Sequence, residues 1–356
     1  MMAKTPVIGP AQIKLLEKLC NAIAVSGDEG EVRKIVQAEV RDFADSVKVD
    51  ALGNVLVSRS GKGPKRLRVM LDCHMDEVGL MLVKDEGEGL FLFDRVGGID
   101  PRSLPGKQVL VGRDKIPAVI SCANLLVSPE ERKKSVPIKA LHIDLGPEAK
   151  GKARVGDRVS FATQFRRAGE TLFAKSIDNR IGVAILLELL KTAPDNIDLC
   201  LSFSVQEEVG GRGAKVAAQY FSPDLAIAVD ATPAYDFPVH DDSENTFYNC
   251  RLGAGPAIYT ADASTLHDPR LVRFLQESAE LAGIPWQLRQ PGGGGTDSGT
   301  IHRSLGGVPS VSVSVPHRYS HTAISVARVS DWQNTLLLLK TALARIQPDL
   351  LGHERP

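Results

Sequence analysis

The chain has 356 residues, 43% hydrophobic and 24% charged, long enough for two domains or one domain carrying an insertion. Lys plus Arg and Asp plus Glu each total 43, and no basic stripe stands out, so nucleic acid and anionic membrane are poor partners. The five cysteines form no CxxC pair, no apolar run could cross a membrane, and "MMAKTPVIGPAQIKLL" lacks a signal-peptide core. These features point to a reducing cytoplasm.

The predicted elements begin with two helices. In "IKLLEKLCNAIA", Ile13, Leu16, Leu19 and Ile23 share one face. In "SGDEGEVRKIVQAEVRDF", Ser26 and Glu29 stand at capping-box spacing, ahead of the stripe Val32, Ile35, Val36, Val40 and Phe43. Strands are expected at "NVLVSR" and "RLRVMLDC", the second running into His74. From Glu77 to Thr163 the texture changes to short alternating runs ("LMLVKD", "LFLFDRV", "KQVLVG", "IPAVIS", "KALHIDL", "DRVSFAT") broken by Gly and Pro. Such runs suit a small β-barrel or sandwich. The α/β texture then returns: a helix from about Asp178, the strand "DLCLSFSV", a helix at "GAKVAAQY" and the strand "DLAIAVD". After these come a helix stopped by Gly283, the strand "VPSVSVSV" and a last helix at "SDWQNTLLLLKTALARI". The expected fold is α/β: a mostly parallel, helix-covered sheet with an inserted small β-barrel domain. The expected boundaries are residues 1–76 and 166–356 for the catalytic domain and 77–165 for the insert.

Four strands end in a potential metal ligand: His74, the doublet Glu207–Glu208, Asp230, and His321 beyond "VSVSVPHRYS". In open α/β sheets, sites form beyond the carboxyl ends of the strands. A fifth acid, Asp178, stands just before a helix and can reach the same cleft. Singly, each residue has a plainer role, since a strand-end His usually makes an ordinary hydrogen bond and an Asp before a helix is commonly its N-cap. Together, two His and three carboxylates without Cys suit Zn, Co or Mn. Five ligands are too many for one tetrahedral ion and fit a pair about 3.5–4 Å apart, which activates water and polarises a carbonyl. Glu208 can then be a ligand while Glu207, pointing the other way by strand alternation or reaching round the strand end, serves as the base. The glycines at 210, 211 and 213 would let backbone pass close to substrate or metal.

These residues sit in "LDCHMDEVG", "AKSIDNRIG", "SVQEEVGGRGA", "AIAVDAT", "GGTDSG" and "HRYSHT", a set that resembles, in order, the motifs of the M42 metallo-aminopeptidases. The resemblance runs over nearly the whole chain, including "SGDEGEVR" and "RVGDRVSF". It implies that His74, Asp178 and Asp230 hold one divalent metal, and Asp178, Glu208 and His321 a second, with Asp178 as the bridge. Glu207 becomes the general base, and Asp76 orients His74. The related M20 peptidases place the bridging acid soon after the first His motif; here the β-rich insert lies between His74 and Asp178, which favours M42. The family also implies short peptides as substrates and a dimer-based homo-oligomer, often a tetrahedral dodecamer, with the insert at contacts and chamber entrance.

Three departures stand out. His317 lies four residues before His321 and could replace it as ligand; "SCANLLVSPEERKK" differs from the family's usual turn; and "GGGG" is longer in glycine, which would widen the neighbouring pocket. Asp262, Gly294, Gly295, Thr296 and Arg318 are candidate substrate contacts. His240 and His267 are expected on the surface, and His302 on a short helix. Two other functions compete with an aminopeptidase. An endoglucanase-type glycosidase needs two carboxylates flanking a sugar, which strand neighbours facing opposite ways supply poorly; aromatics are 5% of the chain and show no stacking cluster in the sequence. The other is a non-catalytic scaffold ordered by its metals.

Overall fold

The computed structural model describes residues 8–122, 130, 134, 136–290 and 293–352. The N-terminal helices are α1 (Pro10–Asn21) and α2 (Gly30–Val40). Helix α1 buries Leu15, Leu16, Leu19 and Cys20, so its stripe is shifted from the expected one, and Ile23 falls beyond its end. Helix α2 buries Val32, Ile35, Val36 and Val40 as its periodicity predicts, but Phe43 lies past the helix and is exposed. The expected capping box does not form. The Ser26 hydroxyl donates to Asp76 instead, and the Glu29 carboxylate accepts from the backbone of Gly27.

Strands β1 (Ser46–Val49), β2 (Val55–Arg59) and β3 (Arg68–His74) lead to the insert. There β4 (Gly79–Gly87), β5 (Leu90–Val96), β6 (Gln108–Val111), β7 (Ile116–Ile120), β8 (Ile143–Asp144) and β9 (Arg158–Phe161) close into a barrel of order β4-β5-β8-β7-β6-β9. The inserted barrel expected from the alternating runs is therefore present. Its inward residues, among them Leu80, Leu82, Phe91, Phe93, Val109, Val111 and Phe161, form a core of their own. That core also takes in Ala323, from the loop carrying His321. The loop expected to diverge, at 121–134, falls largely outside the described residues, as does "PEERKK".

The chain re-enters the sheet through β10 (Arg166–Ala168) and β11 (Thr171–Ala174). It continues with α3 (Ile177–Lys191), β12 (Asp198–Ser204), α4 (Arg212–Phe221) and β13 (Leu225–Pro233). The remainder is β14 (Ala257–Tyr259), α5 (Pro269–Ala282), β15 (Gln287–Arg289), α6 (Ser298–Ile301), β16 (Ser310–Arg318), β17 (Ser325–Arg328) and α7 (Val329–Arg345). The sheet runs β1-β2-β12-β3-β13-β16-β17-β11-β10, with β14 and β15 added beside β16. It is mixed. The four central strands β12, β3, β13 and β16 are parallel, whereas both flanks are antiparallel. Helices α1, α2, α3, α5 and α7 pack on one face through Leu16, Ile35, Ile185, Leu275 and Trp332. Helices α4 and α6 cover the other through Ala217, Phe221 and Ile301 against Met70 and Leu56. The alternation of β3 divides its side chains between these layers: Val69, Leu71 and Cys73 face the first helix layer, Met70 the second. Because the parallel strands share a direction, all four deliver their C-terminal ends to one rim.

Candidate metal centre

At that rim lies a cleft of about 1170 Å³, walled on one side by Gly98 and Asp100 of the insert. His74 ends β3, and its Nδ1 donates to the Asp76 carbonyl at 3.2 Å, with Asp76 Oδ1 at 3.4 Å. Both partners are acceptors, so Nδ1 carries a proton and Nε2 is the atom that faces the cleft. It stands 3.3 Å from Asp178 Oδ1, 3.5 Å from Asp230 Oδ1 and 3.9 Å from Glu207 Oε2. His321 repeats the arrangement. Its Nδ1 donates to the Gly98 carbonyl at 2.9 Å, and its Nε2 lies 3.6 Å from Asp178 Oδ2 and 3.2 Å from Glu208 Oε2. The two carboxylate oxygens of Asp178 thus face different histidines, and Ser320 Oγ also donates to Oδ2, at 3.2 Å.

The doublet does not follow strand alternation. Strand β12 stops at Ser204, and Gln206 turns the chain at φ 58°, so Glu207 and Glu208 both enter the cleft. Asp76 fixes this turn: its carboxylate accepts the backbone N–H of Glu207 at 3.0 Å and of Glu208 at 3.2 Å, besides the Ser26 hydroxyl. The glycines behind the doublet do not line the cleft, and two of them serve the turn and its packing. Gly211 sits at φ 60°, and a Cβ on Gly213 would lie 2.2 Å from Asn54 Oδ1 and 2.5 Å from the Val205 carbonyl.

Two groups of three have ligand atoms within 4.8 Å of one another and share Asp178: His74, Asp178 and Asp230, and then Asp178, Glu208 and His321. A third group joins His74 with Glu207 and Glu208. Two ligands about 2.1 Å from a common tetrahedral ion stand about 3.4 Å apart, close to the separations seen here. The electrostatics agree. Burial and the charges of Glu208 and Asp230 push Glu207 well above the carboxylate range. Burial and Asp178 raise Glu208 to about 8 and Asp230 to about 6. Burial opposes charge on the imidazoles, yet Glu208 and Asp178 lift His321 to about 10, and Asp178 and Asp230 carry His74 well above its usual value. Burial is outweighed likewise at Asp178, which both histidines hold far down. The cluster therefore calls for positive charge beyond what the chain supplies. One buried oxygen, Glu208 Oε1, also has no hydrogen-bond partner. The residues fit divalent cations.

Other candidates separate. Gly294 and Gly295 line the cleft. Thr296 does not: it is buried and hydrogen-bonded to Ser312 Oγ at 2.7 Å. Asp262 turns away and accepts from Ser264 and Thr265 within its own loop. Arg318 is paired with Asp236 at 2.7 Å and stacked over Phe237. His317 is fully buried in β16, outside every ligand group, with burial driving it down to about 4. His240 is exposed, but His267, expected on the surface, is buried beside Tyr259 and Asp262. His302 caps the short helix α6 and donates to the Ser298 carbonyl. Sequence reasoning missed the aromatic wall of Tyr235, Phe247, Tyr248 and Tyr259, whose members are scattered along the chain, and Arg289 beside it. It also gave no role to Asn179, whose amide donates to the Val229 carbonyl, a bond that an Asp could not make.

A mixed sheet whose parallel centre gathers two histidines and four carboxylates at one rim, beside an inserted barrel, defines a hydrolase of the metallopeptidase class. The sequence profile described as M42 glutamyl aminopeptidase matches residues 53–338. The glutamyl aminopeptidase of Lactococcus lactis subsp. cremoris is 31% identical over 342 residues, which cover 92% of this chain and 94% of that protein. Among solved structures, the aminopeptidase APDkam598 of the archaeon Desulfurococcus kamchatkensis has a TM-score of 0.90 at 32% identity, with 96% of each chain covered. The TET1 peptidase of Pyrococcus horikoshii, which can assemble into a tetrahedron or a large octahedral shell, has a TM-score of 0.81 at 32% identity, covering 94% of this chain and 100% of that one. The chain belongs to the M42 family of aminopeptidases.

Proposed function

We propose that the protein is a dinuclear metal-dependent aminopeptidase that releases N-terminal residues from short peptides. The observation that carries this reading is the pair of ligand groups sharing Asp178, with Glu207 left beside them. His74, Asp178 and Asp230 would hold one cation, and Asp178, Glu208 and His321 the other; Zn or Co suits these donors best and Mn is acceptable. Bound there, such a pair supplies a Lewis acid for the scissile carbonyl and lowers the pKa of water.

Glu207 does the proton work. Its carboxylate lies 3.9 Å from His74 Nε2 and belongs to neither of the two groups that share Asp178, so it is free to exchange a proton. It takes a proton from the attacking water and delivers it to the leaving amine. Asp76 acts as a positioning residue, holding His74 and the backbone of the doublet together. The aromatic wall and Gly294–Gly295 would receive the peptide. In the variant Glu207→Gln, turnover should fall at least about 100-fold while both cations stay bound. Full turnover at unchanged metal content refutes the base assignment.

The domain reading, with catalytic parts at 1–76 and 166–356 around an insert at 77–165, gives the barrel a place in assembly and at the entrance. Similarity to TET1, solved as a dodecamer and able to form a tetrahedron or a large octahedral shell, supports a dimer-based homo-oligomer, here proposed as a tetrahedral dodecamer; mass by light scattering tests it. Among the described residues no helix is long and apolar enough to cross a membrane, and the five free cysteines agree with a reducing cytoplasm.

One observation favours a second reading. Glu207 and Glu208 share the cleft with four aromatic side chains, so the facing argument against a glycosidase does not hold. Cellulose hydrolysis that survives chelation selects that reading. Failure to cleave any aminoacyl chromogenic substrate with Co or Zn bound selects a metal-ordered scaffold.

A further inference from the structure

The cleft that collects the carboxylates also contains an arginine. Arg289, at the end of β15, is the only Lys or Arg among the described residues lining it. It is 4% exposed. Its guanidinium lies over the Tyr259 ring, 4.7 Å from the centroid. Its hydrogen bonds go to Thr232 Oγ1 at 3.3 Å and to the carbonyls of Gln290 at 3.3 Å and Gly293 at 2.9 Å. All three are neutral acceptors, and a guanidinium has five N–H donors, so two are left over. Asp230, two residues before Thr232 on β13, directs its carboxylate at His74 instead. Arg318, at the end of β16, is already paired with Asp236.

Burying a charge without a counter-charge is costly, and an unpaired cation in a substrate cleft is explained most simply by an anion that arrives with the ligand. The planar fork of arginine matches a carboxylate through two parallel hydrogen bonds. Away from the candidate metal ligands, Arg289 is the Lys or Arg side chain that the described lining of the cleft offers to a substrate carboxylate. We propose that Arg289 is a specificity-determining residue that binds a carboxylate of the substrate. The inference rests on the peptidase reading above. Two carboxylates of a short peptide have this chemistry: an acidic side chain on the first residue, and the C-terminal carboxylate of a dipeptide or tripeptide.

Matched pairs of substrates separate these sources. The metal-loaded full chain and its variants Arg289→Gln and Arg289→Lys are compared on Glu- and Gln-p-nitroanilide, and on Leu-Gly and Leu-Gly-amide. The native protein should prefer the charged member of one pair, and that pair identifies the source. Arg289→Gln should lower kcat/KM for that member about 30-fold or more, the loss expected when one side of a buried charge pair is truncated. The neutral member should be unaffected, and Arg289→Lys should retain part of the preference. Equal slowing of charged and neutral substrates would mean that Arg289 only props up the Gly293 loop, and overturns the proposal. So does a native protein that distinguishes neither pair. If nothing is cleaved, the peptidase reading fails by itself. Calorimetric binding of glutamate against glutamine, and of Leu-Gly against its amide, to the native protein and the variants still decides whether Arg289 takes a carboxylate. Thermal melts identify any variant that fails to fold, and Arg289→Lys, which keeps charge and stem, then carries the comparison.

Discussion

Asp76 offers the sharpest test of how the site is held together. It is fully buried, and its carboxylate accepts from Glu207 N, Glu208 N and the Ser26 hydroxyl while facing His74 Nδ1. Burial pushes its pKa up, but the His74 charge and these donors more than compensate and hold it below the usual value. Asp76→Asn preserves shape and replaces one oxygen by an NH2. Whichever way the amide is turned, that NH2 meets at least one N–H donor, since Glu207 N and Glu208 N address different oxygens. A hydrogen bond to a charged group contributes about 1.5–3 kcal/mol, and a buried donor left unpaired costs about 1–3 kcal/mol. The expected loss is therefore about 3–5 kcal/mol, read as a lower urea midpoint at unchanged m-value. Because one side chain anchors the backbone of both acids and orients a histidine, cation affinity or kcat/KM should also fall, by about 10–100-fold. Native midpoint, affinity and activity in Asp76→Asn would refute the claim that this carboxylate organises the site.

The remaining predictions concern neighbouring groups. Glu77 accepts from Lys175 Nζ at 2.6 Å and faces Arg180 Nη2 at 3.3 Å, all three buried where the chain enters the barrel. Glu77→Gln strands two buried cations and should cost about 3–5 kcal/mol in urea unfolding; a loss below 1 kcal/mol would show them solvated or paired elsewhere. His321→Ala should lose one of two bound cations by elemental analysis, while His317→Ala keeps both. The reverse result would exchange the two histidines.

Much of the fold can be read from the sequence because its physical signals are local. Alternation marks the six barrel strands, and 3.6-residue periodicity marks α2 and the helices over the sheet. The flanking strands are less legible. Strands β14 and β15 are three residues each, too short for a period to show, and the pairing of β2 with β12 joins segments far apart in the chain. The Ser26–Glu29 spacing misleads because a tertiary partner, Asp76, competes for the hydroxyl and wins.

The cluster of candidate ligands can be anticipated for a related reason. Parallel strands carry their last residues to one rim, so an acid or histidine at each strand end becomes a neighbour of the others whatever the intervening sequence. Where the strand stops, so does the inference. Period two assigned opposite directions to Glu207 and Glu208, but Gln206 at φ 58° and the grip of Asp76 on two amides bring both into the cleft. The same limit hid Arg289. Its position at the end of a three-residue strand gives no pattern, and its distinction from Arg318 is not in residue type but in company: one has Asp236 for a partner, the other only carbonyls, a hydroxyl and the face of Tyr259. Side chains that work through the sheet's regular geometry are thus visible from sequence. Those that work through a missing counter-charge become visible only when the surrounding side chains have been placed.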